Sequence, residues 1–282
     1  MTNLPSLRHS LSEFDPDTIP RPAVALRVEV ANNSEEQPEH RHQKGQLIMA
    51  VRGGVTCQVP SALWMVPPQH AVWIPSQMPH SSFATANAKI YFLLIEVTAA
   101  SMPTECCTLA LPPHVREMIR YLAQQDPLYN ANSATERLVT VLLEQLTLCD
   151  QEKLCLPIST HPKIHLMTQR LLNDPSDRST LANWAQQLAM SDRTLARLIV
   201  KETGLSFGKW RQQLHLLIAL QLLAAGTAVQ TVAGHLGYDS VTAFITMFKK
   251  SLGKAPTHYF AALQASVSEQ NLARISEKNS PL

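Results

Sequence analysis

Residues Ser191 to Gly204 and Ser240 to Gly253 carry one pattern twice, 49 positions apart. A repeated supersecondary unit constrains a fold more tightly than any composition can. In each copy a serine stands where an N-cap hydroxyl accepts a free backbone N–H, and a glycine stands where a left-handed residue stops the helix. Leu195, Leu198 and Ile199 fall at i, i+3 and i+4, and Phe244, Met247 and Phe248 repeat them, so each helix has one face for burial. Lys201 recurs as Lys250 and Trp210 as Tyr259. The opposite faces differ: Arg193, Ala196 and Arg197 become Thr242, Ile245 and Thr246. Two similar frames carry two different readers.

A second short helix is expected ahead of each copy. Leu181, Trp184, Ala185 and Leu188 make one apolar stripe and Val229, Val232, Ala233 and Leu236 the other, each leading through a three-to-four-residue turn. That is the helix-turn-helix layout. The apolar segment from Trp210 to Leu223 is expected to be a helix holding the two units apart, so that they enter successive major grooves about 34 Å apart.

The run Met190-Ser191-x-Arg193-Thr194-Leu195-x-Arg197-Leu198, Lys201-Glu202-Thr203-Gly204, and then Val232-Ala233, Gly237-Tyr238-x-Ser240, Phe244, Phe248-Lys249-Lys250, Gly253, Pro256 and Tyr259, resembles the AraC/XylS transcription regulators over about the last 100 residues. The resemblance implies sequence-specific binding of double-stranded operator DNA. It places Arg193, Thr194 and Arg197 of the first reader, and Thr242 and Thr246 of the second, against bases. A guanidinium can bond O6 and N7 of guanine, whereas threonine offers a hydroxyl or a methyl, so the first reader should discriminate more. Lys201, Arg211, Lys249, Lys250 and Lys254 are expected on phosphates, fixing register without reading sequence. His215, Ala255 and Phe260 depart from the commonest residues at their positions.

Charge agrees with this division. The chain has 282 residues and a net charge of +2, but residues 161–262 hold 11 Lys+Arg against 5 Asp+Glu, leaving 13 basic and 17 acidic residues elsewhere. The basic third is the repeated one, as phosphate contact requires. The start lacks a basic stretch followed by an apolar block, and no apolar run is long enough to span a membrane. Five cysteines, Cys57, Cys106, Cys107, Cys149 and Cys155, lack zinc-finger spacing and suit a reducing cytoplasm as unexceptional thiols.

After a Pro-containing arm, 46–51, 55–59, 62–66, 71–74 and 90–95 read as short strands separated by Gly53-Gly54, Pro67-Pro68 and Pro75 to Pro79. His40-x-His42-x-x-Gly45-Gln46-Leu47, Trp64-x-Val66-Pro67-Pro68, Trp73-Ile74-Pro75 and Pro79-His80 resemble the cupin-type sensing domain of one branch of these regulators. His40 and His42, at i and i+2, point to one face of a strand. With Gln46 and His80 they occupy positions where cupin enzymes place metal ligands. Gln is a poor substitute for an anionic ligand, so the reading is a barrel that keeps the histidines and has lost the metal. No metal or cofactor is expected, and His40, His42, Gln46, Trp64, Trp73 and His80 are expected to line an effector pocket. The competing reading is a metal-dependent cupin enzyme fused to a DNA-binding module.

From Pro113 the period becomes helical, and Ser133-Ala134-Thr135-Glu136 has the capping-box pattern. The fold class expected is α+β with two domains: a cupin-like β-barrel with appended helices, then an all-α tandem helix-turn-helix domain. The division is an arm (1–33), a barrel (34–105), a helical dimerisation segment (106–155), a linker (156–162), a DNA-binding domain (163–262) and a flexible tail (263–282). The function expected is a cytoplasmic, homodimeric, effector-responsive regulator, working with RNA polymerase on a nearby transporter or metabolic gene and having no membrane partner.

Overall fold

The computed structural model describes residues 14–30, 37–66, 70–86, 88–152 and 154–260. The expected flexible tail, the Pro67-Pro68 turn and the first part of the arm lie outside them. A single 3-10 turn, Pro16–Thr18, leads into β1 (Ala23–Glu29), β2 (Gln37–His40), β3 (Gly45–Arg52), β4 (Val55–Val59), β5 (Ala62–Met65), β6 (His70–Ile74), β7 (His80–Ala84), β8 (Lys89–Ile95) and β9 (Cys107–Ala110). Helices α1 (Pro113–Leu122) and α2 (Ala134–Thr147) follow, then two short strands, β10 (Gln151–Glu152) and β11 (Cys155–Pro157). The C-terminal region is helical: α3 (Pro162–Asn173), α4 (Leu181–Gln187), α5 (Asp192–Thr203), α6 (Phe207–Ala224), α7 (Val229–His235) and α8 (Val241–Leu252). The expected two-part α+β architecture is present, although the strands make two facing sheets rather than one closed barrel.

One sheet has the order β1-β8-β3-β6-β9-β10 and the other β11-β5-β4-β7-β2, with antiparallel pairing throughout. Side-chain alternation along each strand divides the burial. On β3, Ile48 and Ala50 join Val72, Ile90 and Phe92 between the sheets, while Leu47 and Met49 face the other way, onto Val115, Ile119, Leu142 and Leu146 of α1 and α2. The wide apolar surface of those helices is therefore largely used to cover the first sheet.

The second sheet is covered by the C-terminal helices. Met65 and Leu156 join the same core as Trp184, Leu195, Trp210, Phe244 and Phe248. Here α6 lies between the sheet and the two helix-turn-helix units, and Leu214, Leu216, Leu217, Ile218, Ala219 and Leu220 are all buried along it. A helix apolar on every side is what burial on every side demands. Trp210 Nε1 donates to the Pro157 carbonyl at 2.9 Å and Ser159 Oγ to Glu202 at 2.6 Å, tying the two regions together.

The strand boundaries depart from the expected division. The arm contains β1, which pairs with β8 along its whole length, β9 lies inside the helical segment, and β11 takes up the start of the linker. Pro162 stands at the first position of α3, as its fixed φ suits. The Ser133 pattern is only half a capping box: Ser133 Oγ accepts from Glu136 N–H, but the Glu136 carboxylate accepts from Asn132 N–H. Both halves are made by Thr180 and Asn183 at α4.

Candidate functional site

The two reader helices form where their caps require. Ser191 Oγ accepts from Thr194 N–H at 3.2 Å, Ser240 Oγ from Ala243 N–H at 3.1 Å, and Gly204 and Gly253 close the helices at φ 73° and 74°. Leu195, Ile199, Phe244 and Phe248 are fully buried, which turns the opposite faces outward. Arg193, Thr194, Arg197, Lys201, Thr242, Thr246, Lys249, Lys250 and Lys254 are all exposed.

Hydrogen bonding sorts the threonines. Thr194 Oγ1 meets Ser191 Oγ at 2.8 Å within the cap, and Thr246 Oγ1 donates back to the Thr242 carbonyl at 2.8 Å. Thr246 thus presents a methyl and acceptor lone pairs outward. Arg211, expected on a phosphate, is also engaged within the protein. It is half-buried, donates to the Ser179 carbonyl at 2.9 Å and lies over the Phe207 ring at 5.7 Å, so its guanidinium braces the loop before α4. It lines, with His215, Tyr238, Thr242, Thr246 and Lys250, a cleft of about 840 Å³ between α6 and α8.

The other group of expected residues is at the mouth of the two sheets. Ring centroids of His40, His42 and His80 are 4.3 to 5.8 Å apart, and one ligand nitrogen from each lies within 4.8 Å of the others. His40 ends β2 and pairs with His80 at the start of β7, while His42 follows in the loop. Gln46 on β3 brings Oε1 to 3.0 Å from His42 Nε2. Burial pushes the His80 imidazole down to about 4, reinforced by His40 and His42, and it lowers His40 likewise. Both rings are neutral at physiological pH.

The two expected pocket tryptophans lie in different cores. Trp64 is buried between the sheets. Trp73 faces the opposite side of its strand, in the core under α1 and α2, where Nε1 donates to the Pro103 carbonyl at 2.8 Å. Strand alternation puts it there, next to Val72 and Ile74 on the inner face, so it is not part of the histidine group. A groove of about 700 Å³ along α2, lined by Arg21, Glu96, Val139, Leu143 and Thr147, escaped sequence reasoning. Its walls come from segments far apart in the chain, and Glu96 on its rim is held by the buried Lys44, whose Nζ reaches it at 2.7 Å. Burial pushes the Cys57 and Cys106 thiols up to about 12, which keeps them protonated and unreactive.

Among the described residues no helix is long and apolar enough to cross a membrane. A helix-turn-helix domain family matches residues 184–262, which contain both reader helices. The HTH-type transcriptional regulator NimR of Escherichia coli (strain K12) is 51% identical over 256 residues, covering 91% of this chain and 94% of that protein. The arabinose operon regulatory protein of the same strain is 28% identical over 141 residues, 48% of each chain. The crystal structure of ToxT from Vibrio cholerae O395 aligns with a TM-score of 0.37 at 10% identity, covering 86% of this chain and 97% of that one, too loosely to speak to the arrangement.

Proposed function

Because the chain belongs to the AraC/XylS family of helix-turn-helix transcription regulators, we propose that it reads an operator through Arg193 and Arg197 in one major groove and Thr242 and Thr246 in the next, and answers to a small molecule bound by its sheet domain. The chain is a DNA-binding regulator, and the enzyme reading is set aside because its relatives are regulators. The observation that carries the base contacts is the exposed face on each capped helix directly opposite a fully buried one. Arg193 and Arg197, four apart, project together. Lys201, Lys249, Lys250 and Lys254 supply phosphate contacts, and Arg211 holds the frame.

The effector reading rests on the His40, His42, Gln46 and His80 group, where polar side chains of both sheets converge. Homodimerisation is proposed through the outer faces of α1 and α2, where Tyr121, Val141 and Leu148 remain exposed. A cytoplasmic location, a contact with RNA polymerase and control of a neighbouring transporter or metabolic gene complete the proposal.

Fluorescence anisotropy against DNA from upstream of the gene and its neighbours, beside scrambled DNA, tests it. Tight binding to one fragment is expected, with Arg197→Ala weakening it about 10- to 100-fold, as loss of one bidentate guanine contact implies, while scrambled DNA binds both proteins alike. Equal loss on every fragment would assign Arg197 to phosphates instead.

A further inference from the structure

The chain connection between the two helix-turn-helix units does little to orient the second. It runs from Ala225 to Ala228, where Gly226 stands at φ 92° and a Cβ built on it would meet nothing within 4 Å among the described residues. Helix α7 then begins at Ala228 with no side-chain cap. Phe244 and Phe248 of the second unit share one core with Trp184 and Trp210. Apolar burial is non-directional, so it holds the unit close without dictating how it is turned.

Direction comes from the opposite side, from the loop between α3 and α4. That loop is braced from within: Asp174 Oδ1 accepts from Ser176 N–H at 3.1 Å and from Ser176 Oγ at 2.6 Å, and Asp177 Oδ1 accepts from Ser179 N–H at 2.6 Å. Arg211 of α6 fastens it from below through the Ser179 carbonyl at 2.9 Å. From this strut Arg178 reaches the turn of the second unit, where Nη2 donates to the Gly237 carbonyl and pairs with Asp239 at 2.7 Å. The backbones meet there too. A Cβ at Gly237 would lie 2.8 Å from the Ser176 carbonyl oxygen, so the approach needs glycine. Neither partner belongs to the duplication. At the offset of 48 that aligns the leading helices, Arg178 corresponds to Gly226, and Asp239 is the inserted residue with no counterpart.

We propose that Arg178 and Asp239 clamp the second reader at one rotation relative to the first, and so set the number of base pairs the operator holds between its two half-sites. The inference rests on the base-reading proposal above. B-DNA turns once in about 10–10.5 base pairs, so one pair added between half-sites swings the second by roughly 35° and carries it on by about 3.4 Å. Clamped readers meet that change only by deforming the duplex, which costs energy. Unclamped readers turn about Gly226 to follow it. Arg178 and Asp239 are thus positioning residues, acting on spacing without touching a base.

The full chain is first used to select its preferred operator from random duplexes, and footprinting marks the two half-sites. Anisotropy then compares that operator with versions carrying one base pair more or one fewer between them. The parent should prefer its own spacing at least ~30-fold. Arg178→Ala, which removes both bonds, should narrow that preference about 10-fold, and Asp239→Ala, which removes the exposed ion pair alone, about 3-fold, with thermal unfolding little changed. Overall affinity should move in opposite directions, down on losing a cation and up on losing an anion beside phosphates, while the spacing preference falls in both. Arg170→Ala, at an exposed position on α3, should keep the parent's preference. Enrichment of no sequence would overturn the base-reading proposal and the clamp with it. An enriched operator whose spacing the parent ignores, or a preference that both variants retain, would overturn the clamp and leave the base reading standing.

Discussion

His215 shows what a polar residue costs among the buried leucines of α6. It is half-buried on α6, its Nδ1 lies 3.3 Å from the Tyr238 hydroxyl, and its Nε2 is buried without a partner. Burial, with Arg211 nearby, pushes its pKa down to about 4. The unfolded ring titrates near ~6.5. Above that value both states are neutral and stability is complete. As pH falls from about 6.5 towards 4, the unfolded chain takes up a proton that the folded chain refuses, and stability is lost. Urea midpoints measured at pH 7.5 and pH 5 should therefore fall further in the parent than in His215→Gln, by about 1–2 kcal/mol, since one pKa unit is worth 1.36 kcal/mol. Parallel curves would place the acid sensitivity elsewhere, His80 being the other ring pushed down to about 4.

The two helix-turn-helix elements are near copies with one insertion. Residues before the turn correspond at an offset of 48, so that Ala189 matches Gly237, whereas the reader helices correspond at 49. The additional residue is Asp239, which pairs with Arg178 at 2.7 Å. Both Ala189 (φ 49°) and Gly237 (φ 72°) sit in the left-handed region. A Cβ at Gly237 would also lie 2.8 Å from the Ser176 carbonyl oxygen. Gly237→Ala should thus destabilise by about 2–3 kcal/mol, backbone strain and contact together. Ala189→Gly, which relieves strain but loosens the unfolded chain, should stay within about 1 kcal/mol of the parent; thermal unfolding of both reads the difference. Elements like these were legible because caps, stops and the helical period all lie within a dozen residues. The strands were harder. Edge strand β2 is Gln-Pro-Glu-His, with a proline that only an edge tolerates, and β7 is His-Ser-Ser-Phe-Ala, buried yet polar, so alternation never announced it. His40 and His42 were legible as a pair through their spacing, and Gln46 and His80 joined them through the resemblance to cupin-type domains. The way the rings are held was not legible, because the Pro38, Lys44 and Met78 carbonyls beside their Nδ1 atoms come from separate turns, and neither was the core that Trp73 joins, because a one-residue change of parity on β6 decides its face.

At the scale of the molecule, three cores are stacked through two sheets, and α6 belongs to the interface as much as to the readers. Trp210 is fully buried there and spans the junction through its bond to Pro157. Parent protein should unfold in one transition, with sheet and helix probes coincident. Trp210→Ala should cost about 3–5 kcal/mol and separate those probes in a denaturant titration. A variant that still melts in a single step would mean the junction contributes little to cooperativity.

A helix that closes one core shared by sheet and readers also restricts how such a chain can be recombined. Its outer flank, where Ala224 lies opposite Gly54 and Met65 of the second sheet, is matched to one particular sheet. A chimera that grafts this reader onto a foreign sensor would inherit an orphaned apolar flank and aggregate, unless the graft also carries the second sheet or repaints that flank with polar residues. Exchange of parts between such regulators is therefore expected to cut the chain before the sheet rather than at the short linker that looks, in sequence, like the natural seam.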